Sequence, residues 1–204
     1  MSSTRLEGSA RERLLAAADE LFYEEGVHTV GIDRVIERAG VAKASLYSAF
    51  GSKDELVRAY LQRRADVRQR RITQRLASYE DAGARILGVF DLLGELAAEP
   101  TFRGCAFVRA TAETPRGETK VDAVCSGARG WTRELFTTLA REAGAKDPER
   151  LGRQLVLLYD GVSVGAYMDH KPNAATEARA IAELLLDAQV SRRAKSSKAP
   201  RAGR

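Results

Sequence analysis

The sequence predicts an all-α protein, with an N-terminal three-helix helix-turn-helix module followed by a larger C-terminal helical domain. Apolar residues recur every three or four positions along most of the 204-residue chain, whereas the alternation typical of strands is absent. Glycine and proline interrupt this pattern where helices would end. The second and third predicted helices have only eight residues each, so they must pack on a neighbouring helix to be stable.

The first helix is predicted over residues 11–25, whose apolar side chains form one face. Ser9 and Glu12 make a capping box before this helix, and Gly26 follows it at the position where a left-handed residue commonly ends a helix. The two short helices are predicted over 32–39 and 43–50, separated by the tripeptide Gly-Val-Ala. Two helices joined by a tight turn are typical of a helix-turn-helix motif, whose second helix enters the DNA major groove.

The later helices are longer. Ser52 and Glu55 make a second capping box, and a helix is predicted from Lys53 to about residue 74. Five more helices are predicted over 81–98, 105–114, 118–143, 148–169 and 174–190. The chain ends in a polar, basic stretch without apolar periodicity, which predicts a disordered tail.

Composition limits the possible classes of function. No apolar run approaches the roughly 20 residues that a membrane helix needs, and no secretory signal is visible, so we expect a cytoplasmic protein without membrane contact. Only Cys105 and Cys125 are present, which argues against a disulfide framework. Cysteine and histidine do not cluster at metal-binding spacing, and no phosphate-binding loop or nucleophile elbow occurs. We therefore predict no enzyme activity, no metal and no cofactor.

The net charge of +5 is unevenly distributed. Residues 61–75 contain six basic residues and one acidic residue, and residues 191–204 contain six basic residues and no acidic residue. Positive charge attracts the phosphate backbone of DNA at long range. A run of arginines on a helix is more often a solvated face, so DNA contact by either region stays open.

The side chains of the second short helix suit contact with DNA. If Leu46 points inward, the residues around it face outward. Lys43 can donate a hydrogen bond to guanine or to a phosphate, and the Ala44 methyl group can contact a thymine methyl group. Ser45 and Ser48 can bond to base edges or to the DNA backbone.

Residues 11–58 resemble the DNA-binding module of the TetR family of transcriptional regulators. The resemblance lies in the stretch RLLAAADELFYEEGVHTVGIDRVIERAGVAKASLYSAFGSKDELV and in its AGV...LY..F..K..L spacing. It implies a homodimer on a palindromic double-stranded operator, with a C-terminal domain that binds a small-molecule effector and pairs through its last two helices. We accordingly divide the chain into a DNA-binding domain over 9–58, a helical ligand-binding and dimerisation domain over 59–190, and a disordered basic tail over 191–204.

The resemblance also implies which residues contact DNA. The predicted contacts are Arg34, Lys43, Ala44, Ser45, Tyr47, Ser48 and Lys53. Tyr47 and Lys53 are expected to hold phosphate, and a helix N-terminus near Lys53 suits that role. Ala42 stands where the family often has a helix-capping serine. Asp33 stands where other members carry a cation, so Arg34 is the preferred phosphate contact from that helix.

Aromatic and sulfur-containing side chains in the C-terminal part are the best candidates for an effector pocket, because such pockets are mostly apolar. These candidates are Phe102, Cys105, Phe107, Trp131, Phe136, Tyr159, Tyr167 and Met168. Each alone is more typical of a core. The segment PTFRGCAFVRATAE is similar to one subgroup of the family, and within it Arg109 and Glu113 could orient a ligand or simply form an ion pair.

The last two helices are predicted to form the dimer interface. The proposed contacts are Gly161, Gly165, Leu184 and Leu185. Glycine inside a helix costs about 1 kcal/mol relative to alanine, so the two glycines indicate close approach of another helix, from the partner or from the same subunit. The function predicted is a repressor that a small, largely apolar effector releases from its operator. A DNA-binding protein without an effector and a small helical enzyme are the alternatives.

Overall fold

The structure is a computed structural model that describes residues 8–114, 119–169 and 173–190, and these residues form nine α-helices. The helices are α1 (Ala10–Glu25), α2 (Ile32–Ala39), α3 (Lys43–Phe50), α4 (Lys53–Leu76), α5 (Ala82–Ala97), α6 (Ala106–Glu113), α7 (Thr119–Glu142), α8 (Pro148–Asp169) and α9 (Asn173–Gln189). The all-α prediction is confirmed, and every predicted boundary lies within two residues of the observed one. None of the described helices is long and apolar enough to cross a membrane. The predicted disordered tail lies outside the described residues.

Side-chain caps begin the helices of the N-terminal module. The Ser9 hydroxyl accepts a hydrogen bond from the Glu12 amide at 3.3 Å, and the Glu12 carboxylate accepts one from the Ser9 amide at 2.8 Å, as the predicted capping box requires. The second box is only half formed. Ser52 caps the Glu55 amide at 3.2 Å, but the Glu55 carboxylate instead accepts hydrogen bonds from Lys120 and Arg58 at 2.6 and 2.7 Å. Glu55 therefore ties the start of α4 to α7.

One hydrophobic core joins the N-terminal module to the beginning of the C-terminal domain. Leu14, Val35 and Leu46 are fully buried where α1, α2 and α3 meet. The same core continues through Tyr60 of α4, whose ring packs edge-on against Phe22 with 5.6 Å between centroids. It extends further to buried residues of α6 and α7. The hydrophobic packing therefore continues across the predicted domain boundary at residue 58.

A second core holds the remaining helices together. It combines buried aliphatic residues of α5, α8 and α9 with the end of α4. Its aromatic centre is Phe136 of α7, which stacks on Phe90 and meets Tyr159 edge-on. These helices form the scaffold on which a cavity and an exposed apolar face are built.

Gly152 allows a close approach between α7 and α8. A Cβ atom at this position would lie 2.3 Å from Oγ1 of Thr137 and 3.0 Å from its backbone Cα and N. We expect Gly152→Ala to lower the free energy of unfolding by about 1–3 kcal/mol, because overpacking against backbone outweighs the gain in helix propensity. Denaturant unfolding followed by circular dichroism measures this change.

The matched control is Gly127→Ala, also in the interior of a long helix. Gly127 is exposed, and a Cβ atom there would have no neighbour within 4 Å. This substitution is expected to raise the free energy of unfolding by about 0.5–1 kcal/mol, the helix-propensity difference alone. Equal effects of the two substitutions would contradict the close contact between α7 and α8.

Candidate DNA interface and ligand cavity

The turn between α2 and α3 is fixed by backbone geometry and by α1. Gly40 adopts a left-handed conformation with φ of 61°, which ends α2 without the strain that a side chain would introduce. The guanidinium of Arg13 on α1 donates to the Gly40 carbonyl at 3.2 Å. Leu46 anchors α3 in the core, and Phe50 lies half-buried beneath the guanidinium of Arg11. α3 is therefore held by one face, and the opposite face is left to solvent.

The structure places the predicted contacts of α3 together on its outer side. Lys43, Ala44, Tyr47 and Ser48 are exposed, and Ser45 is half-buried. Tyr47 is 46% exposed, which is unusual for so large an apolar ring. The small residues around it leave room for α3 to approach the edges of base pairs.

Two of the predicted DNA-binding cations carry acidic partners. Lys43 forms an ion pair with Asp33 at 3.1 Å, and this hydrogen bond raises the pKa of the Lys43 amine. Arg34 binds Glu25 through both carboxylate oxygens, at 2.6 and 2.8 Å, which raises the pKa of its guanidinium. Both pairs are solvent-exposed, and exposed pairs contribute only about 0–1 kcal/mol. An acceptor atom of DNA can therefore replace either carboxylate at a small cost in free energy.

Lys53 is the first residue of α4, where free backbone amides and the helix dipole favour an anion. Its side chain is partly buried, and desolvation lowers the pKa of the amine. Lys53 makes no ion pair with any residue that the structure describes. A phosphate at this point would meet a cation that no described residue holds in an ion pair, although the charges of Asp54 and Glu113 act on the same amine.

A cavity of about 580 Å³ lies between α4, α5, α6, α8 and the C-terminal part of α1. Of the eight predicted pocket residues, Phe102, Cys105, Phe107 and Tyr159 line it. The volume falls within the range typical of sites for small organic molecules. Its wall includes Asp19, Tyr23 and Glu24, so the cavity touches the N-terminal module directly.

The other four predicted pocket residues do not line this cavity. Phe136 is fully buried between Phe90 and Tyr159, and Trp131 is half-buried against the same core. Met168 follows Tyr159 by nine positions, which is half a turn out of phase at 100° per residue, so it lies on the opposite face of α8 and is 70% exposed. Tyr167 is also exposed.

Sequence reasoning missed the polar wall of the cavity. Four arginines of α4 line it, namely Arg63, Arg64, Arg68 and Arg71. They belong to the basic run over residues 61–75, which was predicted to be a solvated helix face or a source of long-range attraction to DNA. Arg64, Arg68 and Arg71 follow one another at spacings of four and three positions, which places them on one face of the helix, and Arg63 precedes Arg64 directly. This spacing, together with the apolar Val67 and Ile72, is the signal that could have indicated the cavity.

Arg109 and Glu113 do not form the expected ion pair with each other. Arg109 donates to the Tyr23 carbonyl at 2.6 Å, and Glu113 accepts from the His28 amide at 2.9 Å. The Tyr23 hydroxyl accepts from the Arg103 amide and donates to the Gly104 carbonyl, both at 3.0 Å. The segment that lines one side of the cavity is thus fastened to the end of α1 and to the turn before α2.

The outer faces of α8 and α9 expose a row of apolar side chains. Leu157, Val164 and Met168 lie at i, i+7 and i+11 on α8, with exposed Gly161 between them. α9 packs on α8 and exposes two further apolar side chains, Ile181 and Leu184, of which Leu184 is 69% exposed. A row of large exposed apolar side chains on one helix face often marks an interaction site.

The four residues predicted for the dimer interface divide into two pairs. Gly161 and Leu184 lie on this outward face, and a Cβ atom at Gly161 would meet nothing within 4 Å. A Cβ atom at Gly165 would lie 3.1 Å from Cβ of Ala174, so this glycine permits close packing of α9 within the same chain. Leu185 packs on the second core.

Comparison with known proteins agrees with this architecture. Residues 14–60 match the family described as bacterial regulatory proteins, tetR family. A crystal structure of a TetR-family transcriptional regulator from Streptomyces coelicolor is 32% identical, superposes with a TM-score of 0.85, and covers 89% of this chain and 96% of its own.

Two curated relatives are similar over shorter stretches. The transcriptional activator FasR of Mycolicibacterium smegmatis is 42% identical over 76 residues, which are 37% of this chain and 35% of FasR. The transcriptional repressor NemR of Escherichia coli is 32% identical over 127 residues, which are 61% of this chain and 64% of NemR. The matches thus span less than two thirds of either curated relative, whereas the Streptomyces structure is matched almost throughout. The chain belongs to the TetR family of transcriptional regulators.

Proposed function

We propose that this chain is a cytoplasmic, homodimeric transcriptional repressor that binds a palindromic operator and leaves it when a small molecule enters the cavity. The observation that carries the proposal is the position of the cavity. Its wall combines α1 of the DNA-binding module with α4, α5, α6 and α8 of the C-terminal domain. A ligand there contacts both parts of the chain at once, which favours this function over DNA binding without an effector.

The proposed DNA contacts follow the exposed face of α3. Lys43, Ala44, Ser45 and Ser48 would meet base edges in the major groove. Tyr47, with Lys53 and Arg34 on the neighbouring helices, would meet the phosphate backbone. In this binding step, Lys43 would exchange Asp33 for a base edge, and Arg34 would exchange Glu25 for a phosphate oxygen.

Release would follow from linkage between the two sites. Two recognition helices of a dimer must reach half-sites about 34–36 Å apart, or a multiple of one DNA turn. A ligand that binds better to a dimer with another spacing weakens DNA binding by the same factor. α4 runs from the DNA-binding module into the cavity wall, so it is the proposed lever. Equal spacing of the α3 helices in crystals with and without ligand would contradict this mechanism.

Lys43→Ala tests the DNA interface. Loss of the amine is expected to weaken operator binding about 5- to 100-fold, the range of one good base or phosphate contact of about 1–3 kcal/mol. Fluorescence anisotropy on DNA from upstream of the gene, at two salt concentrations, measures the change. A base contact weakens binding to the operator alone, whereas a phosphate contact weakens binding to every duplex and reduces the salt slope by about one.

Lys146→Ala is the matched control, because Lys146 is an exposed lysine in the turn between α7 and α8. Its backbone amide bonds to the Gln189 carbonyl at 3.0 Å, and that bond survives the substitution. Operator affinity is expected to stay at the wild-type value. If Lys43→Ala behaved like this control, α3 would not be the DNA-reading helix.

Activation is the second candidate function, since the curated relative FasR is an activator. Both functions share the DNA interface and the cavity. Deletion of the gene distinguishes them: transcription from the promoter beside the operator rises when a repressor is lost and falls when an activator is lost.

A further inference from the structure

Four arginines and four carboxylates line the cavity, but not all of them pair with one another. Each carboxylate already has a cationic partner. Asp19 pairs with Arg64 and Glu20 with Arg38, both at 2.8 Å, while Glu24 pairs with Arg103 at 2.9 Å and Glu99 meets Arg71 at 3.8 Å. The partners of Glu20 and Glu24 come from outside the cavity wall. The acidic side chains are therefore neutralised, and two arginines of the wall remain.

Those two arginines are Arg63 and Arg68, neither of which forms an ion pair with a residue that the structure describes. Arg63 is exposed at the rim. Arg68 lies deeper: its Nη2 atom donates to the Ala128 carbonyl at 2.6 Å, and its guanidinium lies 4.6 Å from the centroid of the Phe107 ring. The Nε atom of Arg68 is buried and has no hydrogen-bond partner among the described residues. Such a cation is costly unless an anion compensates it.

Two hydroxyl groups lie on the facing helix. Tyr159 and Ser163 of α8 are each more than nine-tenths buried, line the same cavity and are separated by one helical turn. Burial raises the pKa of Tyr159 despite the nearby Arg68 charge, so its hydroxyl remains protonated and able to donate a hydrogen bond. Arg68 and these hydroxyls together can surround an oxyanion with donors.

Most of the remaining wall is apolar, with Thr101 and Tyr23 as the other polar side chains. Val89, Leu92, Leu93 and Leu96 of α5 line the cavity, and Phe102 closes the same region. These side chains can bury a hydrocarbon body but cannot bind a second polar group. The cavity therefore has one deep cationic locus at Arg68, a second cation at the rim in Arg63, and one extended apolar surface.

We propose that the cavity binds an amphipathic organic anion, with its carboxylate or equivalent oxyanion on Arg68 and its hydrocarbon body along α5. This inference deepens the proposed function by naming the chemical class of the effector, and it rests on the same cavity. It adds an anionic group to the small, largely apolar effector that the sequence predicts, because arginines of α4 line the cavity.

Three probes with a straight chain of ten carbons test the proposal: decanoate, 1-decanol and decyltrimethylammonium. Isothermal titration of the purified full chain at neutral pH, without DNA, gives each affinity. We expect decanoate to bind at least about tenfold more tightly than decanol, and the cation to bind more weakly than decanol. Equal affinity for decanoate and decanol, preference for the cation, or no binding of any probe would overturn the proposal.

Arg68→Met removes the charge but keeps an unbranched side chain that can lie on Phe107. It is expected to reduce decanoate affinity about tenfold and to leave decanol affinity unchanged, which abolishes the preference for the anion. Arg70→Met is the matched control, because Arg70 is exposed on the same helix and does not line the cavity. Retention of the anion preference in Arg68→Met would overturn the assignment.

Tyr159→Phe keeps the aromatic contact with Phe136 and therefore tests the site even if the arginine variant fails to fold. A loss of about threefold or more in decanoate affinity, with decanol unchanged, is expected for one lost hydrogen bond to an anion; equal losses for both probes would contradict a donor role. These titrations contain no DNA, so their outcome is independent of the operator assay. If decanoate bound through Arg68 but did not release operator DNA, the anion site would be supported and the proposed release of DNA by a ligand would be contradicted.

Discussion

Leu184→Glu is expected to convert the dimer into monomers and to weaken operator binding by about 100-fold or more, because two linked half-site contacts become one. Leu184 is 69% exposed on α9, which packs on α8, where Leu157 and Met168 are 66% and 70% exposed. Pairing of two copies through this surface would remove these side chains from water. A carboxylate in its place would be buried without a cationic partner, at a cost of several kcal/mol at each of two symmetric positions.

Sedimentation equilibrium measures the first effect and anisotropy on operator DNA measures the second. Val108→Glu is the control, since Val108 is 50% exposed on α6, away from the α8–α9 face. Because α6 packs on α4 and α7, this variant is expected to keep the dimer mass and the wild-type operator affinity. A dimeric Leu184→Glu protein would exclude this face as the dimer interface.

The sequence predicted the helices well because their ends depend on local chemistry. Ser9 and Ser52 cap helices through bonds within three residues, and Gly40 ends α2 in a conformation that other residues rarely adopt. The outward face of α3 was equally predictable, since burial of Leu46 alone fixes the rotation of an eight-residue helix.

The ligand cavity depends on how long helices rotate against one another, and this information is not local. The arginines of α4 form a nearly continuous run, so sequence pattern could not distinguish those facing the cavity from those facing solvent. Aromatic residues likewise could not be divided between core and cavity: Phe136 and Tyr159 touch, yet only Tyr159 reaches the cavity. Gly152 escaped notice for the same reason, because its role depends on Thr137 of another helix.

Phe136→Ala is expected to destabilise the C-terminal domain more strongly than Gly152→Ala does. Phe136 is fully buried, stacked on Phe90 with 5.7 Å between ring centroids and edge-on to Tyr159 at 6.1 Å. Truncation of a buried phenylalanine costs about 3–5 kcal/mol, which corresponds to a fall in Tm of roughly 10 °C for a chain of this length. Trp131 is the single tryptophan and packs against the same core, so its fluorescence follows the loss of this domain directly.

Tyr47→Ala is the matched aromatic truncation, because Tyr47 lies on the surface of α3 and its loss is expected to change the free energy of unfolding by no more than about 0.5 kcal/mol. The two variants should therefore have opposite phenotypes. Tyr47→Ala keeps the fold and loses DNA affinity, whereas Phe136→Ala loses stability and, with Tyr159 no longer held in place, also loses decanoate affinity. Equal unfolding midpoints for the two variants would show that the Phe90–Phe136–Tyr159 cluster does not stabilise the domain. α8 carries Tyr159 and Ser163 on its cavity side and the apolar row on its outer side, so the stability of this one cluster affects both ligand binding and dimerisation.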